Sequence, residues 1–168
     1  QRFDVPHLNR EFFFFFLPPP APFKQIDILR VVKAKFRFTS NKLDYVSQAL
    51  GCGGKTSHEG HTLWTRCMEG DDKAWAIMKK YNIQDVKILE KVYIKVRPWI
   101  ANHPKISLYD TDVTEHSCPS CGSEDVQKRG KAYAASTIYQ RYCCNSCGGW
   151  SRGENLKEAR KGLLTSIV

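Results

Sequence analysis

Two short cysteine motifs, Cys118-Pro-Ser-Cys121-Gly122 and Cys144-Asn-Ser-Cys147-Gly148, constrain this chain more than any other feature. A Cys-x-x-Cys-Gly turn offers two sulfurs on one side of a tight loop, and its glycine lets the backbone swing amides toward them. Two such turns, with 22 residues between them, supply the four thiolates of one tetrahedral zinc ion. A site of this kind is closed. Its ion is structural, has no position for substrate, and is needed for so small a module to fold. The competing reading is a disulfide framework or four buried thiols, but seven cysteines is an odd number, and the metal motif points to a reducing compartment. Any chemistry falls to the rest of the chain.

With 168 residues, 42% of them hydrophobic and 26% charged, the chain suits a soluble domain of about 110 residues followed by a module of about 50. No stretch reaches the ~18 apolar residues that cross a bilayer. The longest run, Phe12 to Leu17, follows charged residues and precedes Pro18-Pro19-Pro20, without the length or flanks of a signal peptide. No membrane partner is expected, and the location expected is cytoplasmic. The net charge is +9, and the excess is spread: residues 1–110 hold 18 Lys/Arg against 11 Asp/Glu, and residues 111–168 hold 8 against 6. A broad basic surface suits a polyanion such as nucleic acid; a solubilising charge is the bland alternative. The sequence begins at Gln1 and enters Arg2-Phe3-Asp4 with no run-in, as expected of a processed, truncated or incompletely recorded chain.

Asp4-Val5-Pro6 reads as a strand end leading into a helix that runs to about Phe16 and stops at the prolines. Because Phe12 to Phe16 are apolar on every face, that helix is expected to be enclosed on all sides. A second helix is predicted over Ile26 to about Lys33. A third follows Ser40-Asn41, with Leu43, Val46 and Leu50 at helical spacing and Gly51 as its stop. The clearest helix starts at Asp71-Asp72 and runs to Val96, with Trp75, Met78, Tyr81, Val86, Leu89, Val92 and Val96 recurring as a core stripe. Between the cysteine pairs, Tyr133 to Tyr142 favours strands. These elements give an organisation of 1–101 as the main domain, 102–116 as linker, 117–153 as a zinc ribbon and 154–168 as a charged tail.

One constellation has the residue types for catalysis. Tyr81 and Asp85 lie four apart on one helical face beside Met78 and Leu89. A carboxylate at the edge of an apolar stripe is costly unless it is paired or holds a cation, and magnesium prefers such oxygen ligands. Asp4, at the mouth of a strand-to-helix turn, is the natural second carboxylate. Two carboxylates and a phenol suit metal-assisted phosphodiester hydrolysis. Pairing of Asp85 with Lys79, Lys80 or a cap remains the structural alternative.

Four stretches carry a resemblance to a known family: Arg2-Phe3-Asp4-Val5-Pro6-His7-Leu8-Asn9, Phe23 to Asp27, Phe38 to Leu50, and Tyr81-Asn82-Ile83-Gln84-Asp85-Val86. Together they resemble the ribonuclease-H-like 3′–5′ exonucleases of DEDD type, closest to the branch holding the proofreading domain of family B DNA polymerases and stand-alone phage and bacterial relatives. Phe-Asp with Pro and Leu matches that family's second motif, and Tyr-x-x-x-Asp-Val its third. The resemblance implies metal-binding roles for Asp4 and Asp85, a water-orienting role for Tyr81, and two magnesium or manganese ions in the intact site. It implies an α+β chain, a mainly helical portion of a ribonuclease-H-like exonuclease fold followed by the small β zinc ribbon. The family's first motif, Asp-x-Glu, has no counterpart before Asp4, and the first three strands are likewise missing. Three expectations stay open: the upstream part is a separate polypeptide, it has been lost, or this chain alone is inactive; a bacterial or phage-infected cell is the expected setting. The function expected is metal-dependent 3′–5′ removal of nucleotides from DNA; the alternative is a non-catalytic nucleic-acid-binding or assembly protein with a relic nuclease portion.

In the ribbon, Lys128, Arg129, Lys131, Arg141 and Arg152 stand among Tyr133, Tyr139, Tyr142 and Trp150. Cations that track phosphates and rings that stack on unpaired bases suit single-stranded DNA, with Tyr142 as a stacking ring; a ribbon docked only on its own protein is the alternative. Cys52, His58, His61 and Cys67 match no common zinc spacing and are read as scattered core and surface residues. Cys143 is a spare, Gly53-Gly54-Lys55 an ordinary loop, Asp27 and Asp44 caps or solvated groups, and Trp64, Trp75 and Trp99 core aromatics.

Overall fold

The computed structural model describes residues 4–54, 60–109, 116–134 and 137–156, and divides the chain into two compact units, Gln1–Val96 and Arg97–Val168. Among the described residues there are five α-helices and one three-stranded antiparallel sheet, an α+β content.

The first unit is helical. α1 (Asp4–Phe14) closes with Phe16 in the left-handed region at φ 54, the Leu17 N–H donating to the Phe12 carbonyl at 2.9 Å. That is the helix-ending motif usually made by glycine, and a phenylalanine there is strained. Contrary to the enclosure expected, α1 buries no residue, and Phe16 is 96% exposed. Each Phe left in water forgoes about 1.5–3 kcal/mol of burial. The all-round apolar pattern records what would suit the helix; within the described residues nothing encloses it.

α2 (Ile28–Lys35) starts two residues later than predicted because Asp27 caps it, its Oδ1 accepting from the Arg30 N–H at 3.2 Å. α3 (Leu43–Ala49) ends at Gly51, whose φ of 65 suits a residue without Cβ. α4 (His61–Met68) was not foreseen. α5 (Asp72–Val96) begins after Asp71, whose Oδ1 accepts from the Lys73 and Ala74 N–H groups while its Oδ2 accepts two bonds from Arg66 at 2.9 and 2.7 Å. Hydrogen bonding to Arg66 comes first, and the backbone bonds add to it, in holding the Asp71 carboxyl below its ordinary range.

α5 is the spine of this unit. Its C-terminal half supplies Ile88, Val92 and Val96 to a core with Val32 of α2, Val46 of α3 and Cys52. Its N-terminal half supplies Ala74 to a second cluster with Leu63 and Cys67 of α4, against which Met78 packs. Lys95 ties the lower end down by donating to the Leu50 carbonyl at 2.6 Å. The expected stripe is corrected here: Trp75, Val86 and Leu89 are exposed, and Ala74 and Ile88 take the buried positions. Trp64 and Trp99 are exposed as well. On α4 the inward residues are Leu63 and Cys67, so Trp64, about 100° further round, points away.

The second unit is a meander of β1 (Val126–Tyr133), β2 (Ile138–Cys144) and β3 (Trp150–Asn155), ordered β1-β2-β3. Glu154 and Asn155 belong to β3, and the rest of the expected tail, from residue 157, lies outside the described residues. Ahead of the sheet, a 3-10 turn at Ile106–Leu108 is held by the Ile106 N–H donating to the Pro119 carbonyl at 3.0 Å.

Candidate functional site

Tyr81 and Asp85 belong to the inner seam of α5. Taken at 100° per residue, Ala74, Met78, Tyr81, Asp85, Ile88, Val92 and Val96 all fall within about 40° of one direction. Five of the seven are apolar and pack in the two clusters; the polar pair fills the positions between them. Tyr81 and Asp85 are half-buried there, and the Oδ1 atom of Asp85 is shielded from water. Asp4 is the exposed first residue of α1. Among the described residues, neither carboxylate belongs to a cluster of three or more metal-ligating groups.

The cysteines do gather. The sulfurs of Cys118, Cys121, Cys144 and Cys147 all lie within 4.8 Å of one another, with Cys118 to Cys147 and Cys121 to Cys144 at 3.6 Å. Zn–S bonds of about 2.3 Å in a tetrahedron put sulfurs about 3.8 Å apart, so the set is compatible with zinc. Each turn is built alike. Gly122 and Gly148, at φ 78 and 73, donate their N–H to the Cys118 and Cys144 carbonyls at 2.9 Å. Ser123 and Ser146 join the turns through their hydroxyls at 2.7 Å, and Asn145 bonds the Asp125 carboxylate at 2.7 Å. Burial raises the Cys121 and Cys147 thiols. At Cys144 burial also acts upward, but N–H groups of Cys147 and Ser146 and the Cys121 thiol outweigh it and bring that thiol down to about 7. Cys143 is not among the four. Cys52 and Cys67 sit in separate core clusters, and His58 lies outside the described residues.

The strands divide the basic residues between faces. Lys128 pairs with Tyr142 and Tyr142 with Ser151, placing these on one face. There the Tyr142 ring meets His116 edge-on at 5.9 Å and lies so close to Gly153 that a Cβ at that position would come within 2.7 Å of it. Arg141 and Arg152 pair across β2 and β3 on the other face. The Arg141 guanidinium sits 5.0 Å from the Trp150 ring centre and that of Arg152 4.4 Å from the Tyr139 ring centre. Arg141 also donates to the Arg129 carbonyl at 2.8 Å.

A model of the RNase H superfamily matches residues 1–97. The chain belongs to the RNase H superfamily. The match spans all five helices and stops short of the cysteine turns. No curated protein and no solved structure matches the chain. RNase H superfamily membership implies nucleic-acid binding and suggests a nuclease. The fold usually works with magnesium or manganese, and carboxylate oxygens such as those of Asp85 and Asp4 are the donors such hard ions take. Among the described residues, no helix is long and apolar enough to cross a membrane.

Proposed function

We propose that this chain is the helical part of a DEDD-type, metal-dependent 3′–5′ exonuclease acting on DNA, joined to a zinc ribbon that helps hold the strand. The observation that carries the reading is the placement of Tyr81 and Asp85 at the one polar interruption of the inner seam of α5. A carboxylate is costly among apolar neighbours unless its charge is used. Asp85, with Asp4, would hold a magnesium or manganese ion. When bound, that ion supplies an activated water and charge stabilisation at the leaving oxygen. Tyr81, one turn before Asp85, would orient the attacking water through its hydroxyl. Two carboxylates are fewer than the reaction needs, so in this reading further ligands, and a cover for the exposed phenylalanines of α1, come from polypeptide outside residues 1–168. In the ribbon, four thiolates hold one structural zinc. The setting that fits is the cytoplasm of a bacterial or phage-infected cell.

The test uses purified chain, alone and together with the polypeptide encoded upstream, on 3′-labelled single-stranded DNA with manganese. The pair is expected to release nucleotides, and Asp85→Asn to slow release by on the order of a hundredfold. Release that is undetectable, or undiminished in Asp85→Asn, sinks the reading. The rival is a non-catalytic nucleic-acid-binding protein in which the ribbon unit works alone. It is favoured by one observation: the only gathered ligand set among the described residues is the four-cysteine one.

A further inference from the structure

Arg141 and Arg152 stand directly opposite each other across an antiparallel pair, a placement that costs stability when the charges are alike. Among the described residues no carboxylate pairs with either. What holds them is a pair of rings, Trp150 beneath Arg141 and Tyr139 beneath Arg152. Arg141 is further fixed by its bond to the Arg129 carbonyl, where Gly130 at φ 71 makes a bulge whose Cβ would stand 3.4 Å from the guanidinium. Arg129 joins the same face through its bond to Gln127, which pairs with Cys143. Two like charges held on an exposed tryptophan and a half-buried tyrosine, with no counter-charge among the described residues, form a surface awaiting an anion with flat groups beside it.

We propose that this one face, Arg129, Tyr139, Arg141, Trp150 and Arg152, is where single-stranded nucleic acid lies. Arg141 and Arg152 grip phosphates, and Trp150 and Tyr139 stack against bases. The proposal rests on the reading of the chain as nucleic-acid-acting and narrows it. The opposite face, with Lys128 and with Tyr142 packed on His116 and Gly153, serves the unit's own packing.

The experiment measures fluorescence anisotropy of a labelled oligothymidylate with the full, zinc-loaded chain, without magnesium or manganese. Removing one arginine that contacts a phosphate flattens the plot of log affinity against log salt by about 0.7, so Arg141→Ala with Arg152→Ala flattens it by about 1.4. Trp150→Leu weakens binding by about tenfold at constant salt slope. Arg141→Lys keeps the slope but loses affinity, since an ammonium does not lie flat on a ring. If the alanine variants fail to retain zinc, the lysine and leucine variants decide. An unchanged slope, a loss from Lys128→Ala as large as from Arg141→Ala, or displacement of the oligonucleotide by polyglutamate as readily as by unlabelled oligonucleotide overturns the proposal. Nucleotide release is not read, so failure here leaves the nuclease reading standing, and failure of nuclease activity leaves this test intact.

Discussion

Asp71 joins two jobs in one carboxylate: it caps α5 with one oxygen and binds Arg66 of α4 with the other. Its folded pKa is depressed, so its contribution is complete above the ordinary carboxylate range near pH 3.9 and disappears as pH falls through the lower folded value. Asp71→Asn keeps a capping oxygen and removes the ion pair. We therefore expect a lower melting temperature than the parent at neutral pH, the two converging as pH falls below the ordinary carboxylate range; melting curves from neutral pH down through that range check it. The helix start was legible from Asp71-Asp72. The partnership with Arg66 was not, because α4 was unseen: its inward residues, Leu63 and Cys67, are a single pair four apart, too short a pattern to mark a helix.

At the scale of the element, α5 shows how a helix can be found from its period while its orientation is misread. Trp75, Val86 and Leu89 are large and apolar, and they pulled the expected stripe away from the true one, which runs through the smaller Ala74 and through Ile88. Hydrophobicity says which residues are able to be buried; the partners on α2, α3 and α4 decide which are. Ile88→Ala is expected to cost about 2–4 kcal/mol and Leu89→Ala less than about 1 kcal/mol, measured by denaturant unfolding. Equal costs would place the seam elsewhere. For the candidate site, Tyr81 and Asp85 were legible as neighbours on one face; the pair of clusters on either side was not, because it depends on what α2, α3 and α4 bring to α5.

At the scale of the whole molecule, two units carry different kinds of stability. Residues 1–96 rely on side-chain burial around α5, whereas among its described residues the second unit buries few side chains beyond Ile100, Cys118 and Cys144. A sheet this small is marginal without a further tie, and the four thiols are its best candidate. Removing zinc by chelation, or Cys121→Ser with Cys144→Ser, is expected to abolish the strand signal while leaving helical circular dichroism in place; metal-free chain that keeps its sheet would count against a structural ion. This module was the most legible part of the chain, because liganding cysteines announce themselves by spacing, while nothing local in Phe12 to Phe16 told that α1 would bury no residue.

The polar break in α5 also governs how the first unit comes apart. Clusters that share a helix but not a continuous oily contact reinforce each other weakly across the gap, so we expect the amides of α4 to exchange with water sooner than those of α2 and α3, as hydrogen exchange would read. Tyr81 and Asp85 stand at that fold line, where a small opening changes how much solvent can reach them.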